Sequence, residues 1–193
     1  MKKQINLPEG IVKLDRMPED PEGMDTYGFR GPEAAGIIRI WEDGPAGVAD
    51  KDTVISGIRS SMQSNQGLVE VETGLTAQGL PFYYSIVKNG LDPHGVAYLL
   101  FLRLSGQESD IVIQSQFDEM GMTGQRDAAV FAYARQQGMV SDNMEGWARD
   151  PYDETVTEGM LINLSEQRAL DEAFPNHPLS VIRQLVDFII ADN

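Results

Sequence analysis

The run "VAYLLFLRL" (96–104) constrains the chain more than any other stretch. Read at the two-residue period of a strand, Val96, Tyr98, Leu100, Leu102 and Leu104 fill one face. Ala97, Leu99 and Phe101 fill the other. A strand apolar on both faces is covered on both faces, so this run predicts a central strand in a three-layer domain. Its neighbours are strands too. "LPFYYSIVK" (80–88) places Leu80, Phe82, Tyr84 and Ile86 together, "LVEVE" (68–72) alternates, and "DIVIQSQF" (110–117) turns Ile111, Ile113 and Phe117 inward. The connections 89–95 and 105–109 are shorter than the dozen or more residues a parallel crossover requires. The strands therefore form an antiparallel meander.

Helical periodicity flanks this block. Val54, Ile55, Ile58 and Met62 recur every three to four residues, predicting a helix over 51–66 capped by Asp50 or Asp52. A second helix is predicted over 124–137, with Ala128, Val130, Phe131 and Ala134 on its apolar side and Gly138 as its stop. The last begins near Pro178, where a missing N–H costs nothing. Leu179, Ile182, Val186 and Ile189 form its main stripe, widened by Val181, Leu185 and Phe188. That face must pack, on the sheet or as a homodimer seam. "QINLP" (4–8), "TYGFR" (26–30) and "GIIRIW" (36–41) read as N-terminal strands, and 161–174 as helical from Ser165. The expected fold is α+β: a three-layer α/β/α sandwich with a central, mainly antiparallel sheet. The division is a single domain over 1–193, with a sandwich core at 4–137, an acidic excursion at 138–160, read as partly ordered, and C-terminal helices at 161–193.

Charge and composition exclude several chemistries. The net charge is −15, which repels phosphate backbones and anionic membranes, and no basic run overrides it. Neither nucleic acid nor membrane is an expected partner. The charge reads first as solubility, and second as an acidic surface for a basic partner or a cation. With no cysteine, disulfides, thiolate metal sites and cysteine nucleophiles are excluded. The start carries no apolar run of the length a secretory signal needs, so a cytoplasmic setting is the expectation.

"FDEMGMTGQRDA" (117–128) is the most suggestive stretch for a site. A phosphate-binding P-loop needs glycines five apart followed by lysine and Ser or Thr. Gly121 and Gly124 are three apart and no lysine follows. What remains is a structural corner, with Thr123 as a helix cap, Arg126 paired with Asp118 or Glu119, and an anion or partner contact at Thr123 and Arg126 as the sharper alternative. His94 and His177 lack a second ligand at metal spacing and a nucleophile elbow. "DNMEGWARDPYDE" (142–154) lacks the spacing of a calcium loop. Its aromatics, Trp147 and Tyr152, either tuck into the domain or mark an interaction surface together with Asp150 and Asp153. No metal, cofactor or catalytic residue is expected. Asn163-Leu164-Ser165 matches a glycosylation acceptor, relevant only in a secreted protein.

"INLPEG" (5–10), "VISGIRSSMQSNQGLVEVETG" (54–74) and "GLPFYYSIVK" (79–88), with their order of strands and helices, resemble the PsbP-like α/β/α sandwich superfamily. The resemblance spans residues 4–137. That group includes an extrinsic photosystem protein, an import factor that binds the Ran GTPase, and small bacterial domains, some resembling chaperones for secreted effectors. It implies a protein-binding fold with no shared active site. The acidic excursion and extra C-terminal helices depart from it. The resulting expectation is a non-enzymatic protein-binding or adaptor module. A carboxylate-based hydrolase and a structural homodimer are the alternatives.

Overall fold

A computed structural model describes residues 5–16, 20–91, 95–157 and 159–193. Seven strands form one sheet: β1 (Val12–Lys13), β2 (Asp25–Arg30), β3 (Ala34–Asp43), β4 (Gln66–Leu75), β5 (Pro81–Gly90), β6 (Val96–Leu104) and β7 (Asp110–Glu119). Their spatial order is β1-β2-β3-β7-β6-β5-β4, and each neighbouring pair is antiparallel. The meander β4 to β7 is as expected. The first strand is not: residues 5–8 are irregular, and β1 begins only at Val12.

Pairing register sorts the side chains. Tyr84, Leu102, Ile113 and Ile40 stand in one cross-strand row. They face helix α3 (Pro178–Asp192), whose Leu179, Ile182, Val186 and Ile189 are all fully buried against them. The stripe is therefore spent inside the chain and does not serve as a dimer seam. Gly36 is needed in this layer. A Cβ there would lie 2.6 Å from both the Gln116 carbonyl and the Phe117 ring, which stacks obliquely on Phe29.

The opposite face holds helix α1 (Lys51–Ser61), shorter than predicted and capped by Asp50, whose side chain accepts from the Thr53 N–H. Val54 packs on Leu68 and Val71, over β4 and β5 only. One face of β6 is thus well covered, while Leu99 and Phe101 on the other are half-buried. Helix α2 (Gln125–Gln136) leads into the 138–160 segment. Short strands β8 (Ala148–Arg149) and β9 (Ile162–Asn163) pair there. Residues 164–170 form two 3-10 turns rather than a helix. Asn163 and Glu166 close a reciprocal capping box at the first. Among the described residues, no helix is long and apolar enough to cross a membrane.

Candidate functional site

The 138–160 excursion lies along the outer edge of β4. There the Tyr152 hydroxyl accepts a hydrogen bond from the Val71 N–H at 2.6 Å. Burial pushes this hydroxyl up to about 12, helped by Glu70 and Glu72 and opposed by the Val71 N–H. Asp150 accepts from the N–H groups of Tyr152 and Asp153, and both acids meet Arg59 of α1, at 2.5 Å and 3.3 Å. Trp147 packs edge-on against Phe131 of α2, with centroids 5.0 Å apart. Close approach completes the docking, since a Cβ on Gly67 would sit 2.0 Å from the Met160 carbonyl. The structure thus brings Asp150, Tyr152 and Asp153 together as anchors, with Trp147 nearby.

Thr123 and Arg126 lie apart from them. Thr123 is exposed, and the residue capping α2 is Gly124, in the left-handed region at φ 75° with no side-chain cap bond. Arg126 corrects the surface expectation outright. It is 1% exposed, and its partner is neither Asp118 nor Glu119. Its guanidinium donates to the carbonyls of Ser165 and Gln167, to Ser180 Oγ and to Asp171. In a corner this crowded it is not accessible to an anion or partner.

Arg126 belongs to a buried polar layer that sequence reading missed. Glu166 is 2% exposed, pairs with Lys88 at 2.7 Å, and accepts from the Tyr98 hydroxyl and the Asn163 N–H. Asp127 accepts from Asn163 and Ser165. Arg183 reaches Glu70 at 2.7 Å, Asp171 at 3.1 Å and the Glu166 carbonyl at 2.9 Å. His177 accepts the Leu179 N–H at the start of α3 and meets Glu119 at 3.3 Å. His94 lies outside the described residues. No spacing rule links positions 70, 88, 126, 166 and 183, and each alone looks like an ordinary solvated charge.

The layer opens on a cleft of about 900 Å³ beside β4, lined by Glu70, Glu72, Trp147, Arg149, Arg168 and Arg183. Burial alone would push the Glu70 carboxyl up, but Arg183, the Tyr84 hydroxyl and Arg168 outweigh it and hold it below the usual carboxylate range. A general acid or base works best with a pKa near the operating pH. Glu70 is displaced the other way. Among the described residues, no group of three or more His, Asp or Glu is placed to hold a metal ion.

A second concavity crosses the sheet face that α1 leaves bare. It consists of hollows of about 700 Å³ and 330 Å³ that share Arg39 and Gln116. The floor is Ile37, Leu99, Phe101, Gln114 and Gln116. Ile58 of α1 and Met62 just past its end form one wall, and Val12 and Leu14 the other. Ile37 is 38% exposed and Val12 63%. None of these residues was singled out from sequence as a site. The visible signal was the doubly apolar β6, read as a covered core strand.

Two solved structures resemble the chain in fold. One is a mutant of the protein Mog1, with TM-score 0.41 and 12% identity over 63% of this chain and 74% of that one. The other is a protein of unknown function from Pseudomonas aeruginosa described as a putative regulator, with TM-score 0.40 and 9% identity over 68% of this chain and 96% of that one. These likenesses are of layout only. No family model matches the chain, and no curated protein matches it.

Proposed function

We propose that the chain is a non-enzymatic protein-binding module that receives its partner on the bare half of the sheet. The observation carrying this reading is the groove between α1 and β1. A three-layer sandwich buries both faces of its sheet, yet here Ile37, Leu99 and Phe101 are left half-clothed. Ile37 of β3 is separated from Leu99 and Phe101 of β6 by Gln116 and Gln114 of β7, and exposed apolar side chains set among polar ones are what a docking partner covers. The excursion is the poorer candidate, because Asp150, Tyr152 and Asp153 are already engaged within the chain.

The carboxylate-lined cleft is the specific ground for the enzyme alternative. Its best-placed acid, Glu70, is saturated by two arginines and a tyrosine, which suits a structural ion pair better than proton transfer. The test is gentle capture of the protein from its own cells followed by native mass spectrometry. The expected result is a co-purifying protein at fixed stoichiometry that is lost with Ile37→Asp and kept with Trp147→Ala. A partner indifferent to Ile37→Asp would move the site off this face. A bare chain carrying a small molecule would favour the cleft instead.

A further inference from the structure

Resting on that reading, we infer that the groove takes an acidic segment of a partner protein, with an apolar side chain set between carboxylates. The reason is a local inversion of charge. The chain carries −15 overall, but the charged residues lining the groove are Arg30, Arg39 and one carboxylate, Asp118, which accepts from Gln116. Most other basic side chains are tied to acids. Lys13 meets Asp25, Arg59 meets Asp150, Arg103 meets Asp110 and Arg135 meets Asp142. Arg30 and Arg39 are exposed, and neither has a carboxylate within ion-pair distance among the described residues.

Docking on Ile37, Leu99 and Phe101 would take these two guanidiniums out of water. Burying an unpaired charge is costly, whereas a carboxylate offers a bidentate, charge-assisted partner. The spacing follows from register. Arg30 pairs across from Ala35 and Arg39 from Thr26, so their levels along β3 are 35 and 39, roughly 13 Å apart at about 3.3 Å per residue. Ile37 lies midway on the same face. An extended segment meets this pattern with acids four residues apart around an apolar one. The distant acidic surface opposes this little, because exposed charges more than about 8 Å apart are largely screened at physiological salt.

The experiment is selection of displayed random twelve-residue peptides on the full chain, with counter-selection against Ile37→Asp. Expected is a pool rich in Asp and Glu beside apolar residues. Synthetic members should bind the Arg30→Glu/Arg39→Glu double variant about tenfold or more weakly, as expected for two lost charge-assisted contacts, and should weaken with added salt. Both arginines are exposed and have no ion-pair partner among the described residues, so thermal melting of the double variant serves as its folding control. A basic or neutral pool that still needs Ile37 overturns the acidic partner and leaves the module reading standing. A pool indifferent to Ile37, where cellular capture is indifferent too, overturns both. No enrichment overturns the inference alone if cellular capture still depends on Ile37. Self-association in sedimentation that Arg39→Glu abolishes would overturn it by assigning the face to a second copy.

Discussion

Lys88 and Glu166 form an ion pair with almost no access to water, their side chains 7% and 0% exposed. Such a pair contributes little net stability, because desolvating two charges offsets their attraction. Removing one partner is another matter. Lys88→Met should cost about 3–5 kcal/mol by stranding Glu166, read as a lower urea midpoint with unchanged slope. Tyr152→Phe is a milder test. It leaves the Val71 N–H without its acceptor, so a loss of about 1–3 kcal/mol is expected, together with faster exchange of the Val71 amide. Gly67→Ala should act on the docking of the same segment by steric means, at the Met160 carbonyl. It should detach the 146–162 segment, seen as faster hydrogen exchange there, while α3 keeps its protection.

Elements differ in how openly they declared themselves. The meander and α3 could be read because apolar periodicity alone carries them; Ile182 and Val186 recur at helical spacing and are fully buried. Ile182→Ala should accordingly cost about 2–5 kcal/mol, measured by chemical unfolding. The 161–174 segment misled because its Ser-Glu-Gln start is good helix chemistry. Yet Asn163 and Glu166 close a tight capping box, and the Ser165 carbonyl is bonded to Arg126. Tertiary bonds overrode local propensity. Arg126 misled for a related reason: nothing adjacent in sequence shows that Ser165, Asp171 and Ser180 converge on it. At β6 the inference from two apolar faces to two covered faces held for one of them. Half-covered Leu99 and Phe101 are where the groove lies, so the candidate site was legible as apolar residues but not as a surface.

Across the whole molecule, charge bookkeeping sets the response to acid. Asp110 would be pushed up by burial, but the Ala46 N–H, Arg103 and the Gly106 N–H hold it below the usual range, as Arg183 and its neighbours do for Glu70. A depressed folded pKa contributes stability that is fully present above the unfolded value, about 4 for these groups, and lost as pH falls through the folded one. Unfolding free energy should therefore be nearly flat from pH 7 to 5 and drop below about pH 4. Glu70→Gln should lower stability at pH 7 and flatten the acid drop, in urea titrations across that range. The excursion has a consequence at this scale as well. With the Tyr152 hydroxyl on Val71 and the Met160 carbonyl against Gly67, the segment stands where another chain's strand would have to enter. It works as a stopper against sheet growth from molecule to molecule. A chain cut between Asp153 and Thr157 should leave β4 free to recruit copies, so that chains join edge to edge into polymers.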